Sequence, residues 1–146
     1  MLSAVFDSTI LVSAFLTPHG LCDQLLSLAR RGAFDLYLSD DILAETQEVL
    51  LERERIRQRY PYTDEQPIRF CHSARHSFHL VKDPPPVSGV VRDPNDDMVI
   101  ACALAAGVSY LVTRDPDLLT VKTYQAVQMI SPEEFISIVR QQAPKP

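Results

Sequence analysis

The stretch Arg92-Asp93-Pro94-Asn95-Asp96-Asp97 runs directly into the small-residue segment Met98 to Ala106, stops at Gly107, and resumes as Tyr110-Leu111-Val112-Thr113-Arg114-Asp115. An acidic turn, a helix, a glycine stop and a short apolar strand thus lie between two groups of carboxylates. Asn95 or Asp96 can cap the helix, and Asp97 falls in its first turn, where the helix dipole favours an ionised carboxylate. Gly107 suits a left-handed helix stop. Asp115 emerges just past the carboxyl end of the strand, the edge at which open parallel sheets bind ligands. Two further acids share that placement. Asp7 follows the apolar Leu2 to Phe6, and Glu45 lies about one turn into a helix opened by Ser39, Asp40 and Asp41.

Asp7, Glu45, Asp97 and Asp115 are therefore expected at or over one sheet edge. Two bare carboxylates about 4 Å apart repel by roughly 4 kcal/mol at an effective dielectric near 20, so such a cluster needs a cation or raised pKa values. Oxygen donors without histidine or cysteine favour Mg²⁺ or Mn²⁺ over zinc. Such ions lower the pKa of bound water and orient it in line with a phosphodiester, which makes phosphodiester hydrolysis the implied chemistry. Each acid alone has a plainer explanation: a helix cap, a turn, or a solvated helix glutamate.

Positioning these acids requires alternating strands and helices. A first strand over Leu2 to Phe6 is followed by helical spacing at Ile10, Leu11, Ala14 and Phe15, broken at Pro18 and Gly20. A second amphipathic helix spans Leu21 to Ala29 and closes at Arg30-Arg31-Gly32. Phe34 to Leu38 is a strand, and the helix capped by Ser39 carries an apolar stripe through Leu50 to Ile56. That helix ends on Arg53, Arg55, Arg57 and Arg59 before Tyr60-Pro61. Asp64 and Glu65 open another helix through Ser77, Phe78 to Val81 form a short strand, and Pro84-Pro85-Pro86 lead an extended loop to the acidic turn. After Asp115 come a helical turn at Pro116 to Leu119 and a strand at Val127 to Ile130. The last helix is opened by Ser131-Pro132-Glu133-Glu134, with Ser131 and Glu134 in a capping box. The expected fold is a three-layer α/β/α sandwich with a mainly parallel central sheet, a single domain over residues 1–140, and a frayed tail over 141–146.

With 46% hydrophobic and 23% charged residues, the 146-residue chain has the composition of an ordinary soluble domain. It carries no membrane-spanning run, and a cytoplasmic location is the default expectation. Cys22, Cys71 and Cys102 lack the spacing of a disulfide framework or zinc site and read as buried small hydrophobes. His72 and His76, four apart, lack a suitably spaced third ligand and read as surface histidines, as does His79. The net charge of −5 argues against a nucleic-acid partner only if the acids are bare, because a carboxylate cluster that binds metal is neutralised when occupied.

Taken in order, Val5-Phe6-Asp7-Ser8-Thr9-Ile10-Leu11-Val12-Ser13-Ala14, Ile42-Leu43-Ala44-Glu45 with Val49-Leu50, Arg92 to Asp97, and Leu111-Val112-Thr113-Arg114-Asp115 resemble the successive motifs of the PIN domain family. The chain is similar in particular to members that are toxin components of toxin-antitoxin pairs. This resemblance covers nearly the whole chain. It implies a PIN-like fold carrying a metal-dependent ribonuclease, with Mg²⁺ or Mn²⁺ as cofactor, RNA as substrate, an antitoxin protein over the acidic cleft, and a homodimer or higher oligomer. Asp7, Glu45, Asp97 and Asp115 match the family's acidic positions, Asp97 being preferred to Asp96 because it stands directly before the apolar helix. Asp117 can assist from the next turn. Asp93 and Asp96 are assigned to turn and cap, with Asp96 also able to bind metal through water, and Thr113 supplies a supporting hydroxyl. Members commonly carry asparagine two residues after the first aspartate. Here Ser8 and Thr9 follow Asp7, and a hydroxyl still hydrogen-bonds a carboxylate or a metal-bound water.

Other acid-bearing α/β enzymes fit less well. A haloacid-dehalogenase-like phosphatase needs a second aspartate where Thr9 stands. A response-regulator receiver needs paired acids after the first strand and a lysine after a later one, whereas only Asp7 is present there and the lysines are Lys82, Lys122 and Lys145. The serious alternative is a PIN-fold module that binds RNA or protein without cleaving. For RNA contact, the arginine-rich segment Arg53 to Arg59, notably Arg55 and Arg57, is the candidate together with Arg30, Arg31 and Arg114, because forked guanidinium donors suit phosphates. Arginines in a last helical turn also complement the helix dipole, which is the plainer account of that segment.

Overall fold

The computed structural model describes residues 1–142. Five short strands run parallel: β1 (Ser3–Phe6), β2 (Asp35–Ser39), β3 (His79–Val81), β4 (Tyr110–Val112) and β6 (Val127–Ile130), while β5 (Thr123–Tyr124) pairs antiparallel with β6. The sheet order is β3-β2-β1-β4-β6-β5. The helices are α1 (Ser8–Leu16), α2 (Leu21–Arg30), α3 (Asp40–Glu52), α4 (Glu54–Arg59), α5 (Glu65–Ser77), α6 (Pro94–Ala106), α7 (Pro116–Val121) and α8 (Pro132–Gln142).

From β1 the chain steps outward to β2 and β3, then returns to β4 on the other side of β1. Because parallel crossovers are right-handed, this reversal sends α1 to α5 to one face of the sheet and α6 and α7 to the other, giving three layers. Both faces of the central strands are then covered. Ala4, Val5, Phe6, Leu111 and Val112 are accordingly buried without regard to alternation. Phe34 and Phe135 meet edge to face at 4.8 Å, and Phe6 meets Phe135 at 6.0 Å, which anchors α8 beneath β1. The reversal also leaves a crevice between the carboxyl ends of β1 and β4, where neighbouring crossovers diverge.

Several local expectations change. The helix from Asp40 does not continue through Ile56: Arg53, at φ −77° and ψ 102°, separates α3 from α4. The carbonyls freed near the break are satisfied from outside the helix, Leu50 O by the Tyr62 hydroxyl at 2.6 Å and Leu51 O by Arg57 at 3.1 Å. A helix-period pattern carries no sign of partners that arrive from the next turn. Asp93, not Asn95 or Asp96, caps α6, accepting from the Asn95 amide at 2.9 Å, with Pro94 in the first helical position. Strand β5, only two residues long, has too little pattern to be read in advance. Gln141 and Gln142 belong to α8, and the rest of the expected tail, 143–146, lies outside the described residues. The capping box at the start of α8 is present, with Ser131 Oγ accepting from the Glu134 amide at 3.2 Å and Glu134 accepting from the Ser131 amide at 3.3 Å. Among the described residues no helix is long and apolar enough to cross a membrane.

Candidate active site

Asp7 leaves β1 at the sheet's carboxyl edge and is 2% exposed. As the N-cap of α1 it accepts from the Ile10 amide through Oδ1 at 3.2 Å. Its other partners are two threonine hydroxyls: Thr9 donates to Oδ1 at 2.6 Å, and Thr113 donates to Oδ2 at 2.5 Å. Each hydroxyl also accepts a backbone amide, Thr9 from Arg114 at 3.0 Å and Thr113 from Asp115 at 2.9 Å. The two threonines therefore fasten Asp7 to the chain leaving β4. Thr9, at the position where asparagine is the expected residue, spans the crevice by donating on one side and accepting on the other.

Asp115 stands at the start of α7 and accepts from the Asp117 amide at 2.9 Å. Carboxylate oxygens of Asp96, Asp115 and Asp117 lie within 4.8 Å of one another. Asp96, in the first turn of α6, is 8% exposed, and its Oδ2 is buried without any hydrogen-bond partner. Glu45 of α3, half-buried, enters from the far wall. Asp7, Ser8, Thr9, Glu45, Asp96 and Asp115 together line a cleft of about 360 Å³.

Asp97 is turned elsewhere. It is also buried, but its oxygens accept the backbone amides of Gly89 and Val91, both at 3.1 Å. Consecutive helical residues point about 100° apart, so only one of the pair can face the crevice. Capping by Asp93 sets the helix phase so that this residue is Asp96. Of the two, the structure places Asp96 in the cleft, whereas Asp97, the residue preferred from the sequence, fastens the loop that delivers Asp93 to it.

The electrostatics follow from this crowding. Burial pushes the Asp96 carboxyl up to about 8, with the neighbouring Asp115, Asp93 and Asp7 adding to the rise. Burial also pushes Asp7 up to about 6, against the opposing pull of the hydroxyls of Thr113 and Thr9 and the Ile10 amide. Glu45 is raised chiefly by burial. A folded-state pKa above the unfolded value means that the native state holds protons the unfolded chain has released, so stability falls as pH rises between the two values. Without divalent cations, thermal unfolding should therefore move to lower temperature as pH rises from about 4, with Asp7 contributing up to about pH 6 and Asp96 up to about pH 8. A bound cation would replace the protons, so Mn²⁺ should stabilise the protein more at pH 8 than at pH 5. Melting curves at both pH values with and without Mn²⁺ check this.

Most of the expected phosphate-binding arginines are placed or occupied differently. Arg30 and Arg31 end α2 just before β2 begins, at the amino edge of the sheet and opposite the acids, and Arg30 lies over the Phe78 ring. Arg57 pairs with Asp64 at 2.7 Å, bonds the Leu51 and Tyr62 carbonyls, and covers the Tyr62 ring. Arg114 forms a two-pronged pair with Glu133, at 3.3 and 2.9 Å. Arg55 is exposed on α4 and does not line the cleft. Arg53, which the acid motifs do not single out, does line it.

A family model described as the PIN domain matches residues 3–117. Among solved structures, PAE2754 from Pyrobaculum aerophilum superposes with a TM-score of 0.66 at 18% identity, over 97% of this chain and 91% of that one. VapBC2 from Rickettsia felis, solved with a DNA fragment from its promoter, gives 0.60 at 14% identity, covering 89% of this chain and 98% of that one. VapC20 from Mycobacterium tuberculosis, described as a sarcin-ricin loop cleaving toxin, gives 0.54 at 13% identity, covering 86% and 98%. Comparison with curated proteins returns no match.

Proposed function

This chain belongs to the PIN domain family, and we propose that it is an endoribonuclease dependent on Mg²⁺ or Mn²⁺, acting as the toxin of a toxin-antitoxin pair. The observation that carries this reading is Asp96, buried with its Oδ2 unpartnered and its carboxylate clustered with those of Asp115 and Asp117, an all-oxygen set that is uncomfortable when bare. The likeness to VapC20, described as a sarcin-ricin loop cleaving toxin, supports the toxin part of the reading. On this reading the protein works in the cytoplasm, where an antitoxin protein would cover the cleft, and it forms a homodimer or higher oligomer.

Asp96, Asp115 and Asp117, with Asp7 and Glu45 at the cleft walls, would hold the ion. When bound, a divalent cation supplies an activated water and neutralises charge building on the phosphodiester. The chain's own groups prepare the rest. Thr9 and Thr113 hold both oxygens of Asp7 and so fix its orientation. Glu45 approaches from α3 across the cleft, and its raised basicity suits a group that takes up the proton released by the attacking water.

Cleavage of a mixed RNA panel in Mg²⁺ or Mn²⁺ tests the proposal. Cutting should be lost with EDTA and in Asp115→Asn, which keeps a helix-capping side chain. RNA binding without cutting by the wild type would instead support the non-cleaving module. Replacing Thr9 by valine keeps its shape but removes the hydroxyl. Mn²⁺ affinity, read by titration calorimetry, should fall about 10- to 100-fold, while Thr9→Ser stays near wild type.

A further inference from the structure

We propose that Arg53 holds a phosphate oxygen of the RNA strand, opposite the buried acids, and that the strand leaves the cleft at this residue; the proposal rests on the ribonuclease reading above. Arg53 lines the acidic cleft and also a second groove that continues from it past Glu45, Glu48, Val49, Glu52 and Asn95. Among the described residues, it is the one cation lining either. Its backbone is extended where α3 breaks from α4, which lifts it out of the helical row of arginines that follows.

Several other arginines near this end of the fold are already committed, and Arg55, exposed on α4, does not line the cleft. Arg57 is bound to Asp64, Arg75 to Asp40 and Arg114 to Glu133, and Arg59 lies against the Tyr60 ring. Arg53 is exposed and forms no ion pair among the described residues, although Glu45 feels its charge. A strand carrying one negative charge per nucleotide enters a cleft walled by carboxylates only if cations compensate it. The bound ion would do so at Asp96 and Asp115, and Arg53 does so on the other wall. Beyond it, Glu48 and Glu52 repel phosphate, so the groove they line is closed to the strand.

The test measures RNA affinity against KCl concentration in Mg²⁺, using the non-cleaving Asp115→Asn chain with and without Arg53→Ala. Arg53→Gln serves as a second variant that keeps side-chain length, and circular dichroism verifies the fold of each. Both should bind about 10-fold more weakly near 0.1 M salt, with a slope of log affinity on log salt reduced by about 0.7, the loss of one single-strand phosphate contact. Arg53→Lys should restore the slope but not the full affinity, because the fork is lost. In the cleaving chain, Arg53→Gln should raise KM with kcat nearly unchanged. Unchanged affinity and slope, in a wild type that cuts, overturn the Arg53 contact and leave the nuclease standing. An Arg53-dependent slope in a wild type that never cuts supports the contact and overturns the nuclease. Absence of RNA binding together with absence of cutting by the wild type, Arg53 being intact, overturns both.

Discussion

Asp96→Asn should lower RNA cleavage by about 10³-fold or more, beyond the 10- to 100-fold that loss of an outer partner of a metal ligand costs. The same substitution should raise the melting temperature of the protein without divalent cation above neutral pH. Both effects follow from one fact: the carboxyl is buried among Asp7, Asp93 and Asp115 with Oδ2 unpartnered, so its negative charge destabilises the fold unless a cation sits beside it. The amide removes that charge together with the ligand. Activity and metal-free stability therefore move in opposite directions, as expected where a site is held ready at the expense of the fold. Melting curves at pH 8 in EDTA, run beside the cleavage assay, read both. Loss of cleavage with unchanged or lowered metal-free stability would mean that Asp96 is a packing residue.

Asp97→Ala should act in the opposite pattern. The carboxylate fastens the Gly89 and Val91 amides, and its removal should cost roughly 2 kcal/mol, two charge-assisted hydrogen bonds discounted for water reaching the freed loop. Cleavage should fall only about 10- to 100-fold, through loosening of the segment that ends in Asp93, a residue of the cleft. The loop between β3 and α6 should become the first site of limited proteolysis, since its remaining anchors are few. Asp97→Asn, which keeps one acceptor oxygen, should lose about half as much stability. If Asp97→Asn abolished Mn²⁺ binding while Asp96→Asn retained it, the assignment of the two neighbours would be the wrong way round.

The same asymmetry between local and distant partners governs the arginines. Arg57 and Arg114 have the composition of a phosphate site and the contacts of structural residues, one tying α4 to the turn before α5, the other joining the β4 exit to α8. Arg30 and Arg31 lie at the amino edge because α2 must return there to begin a parallel strand.

Local chemistry along the chain was enough to place most of the fold. Apolar runs ending in Asp7 and Asp115, the Ser39 cap, Gly107 as a left-handed stop at φ 68°, and the Ser131 and Glu134 box each act within a few residues, and each mark the element they predict. Strand and helix alternation then leads to a parallel sheet, since parallel strands need crossovers. What tertiary structure alone decided is direction. Asp96 and Asp97 are chemically identical neighbours, and only the helix phase set by the Asp93 cap, with the return of the Gly89 to Val91 loop, turns one to the cleft and the other away. Thr9 and Thr113 meet on Asp7 although over a hundred positions separate them, because β1 and β4 are adjacent only in the folded sheet. Hydrogen-bond partners and burial are properties of that adjacency, so neither the loop-fastening role of Asp97 nor the place of Arg53 in the cleft was written in local spacing.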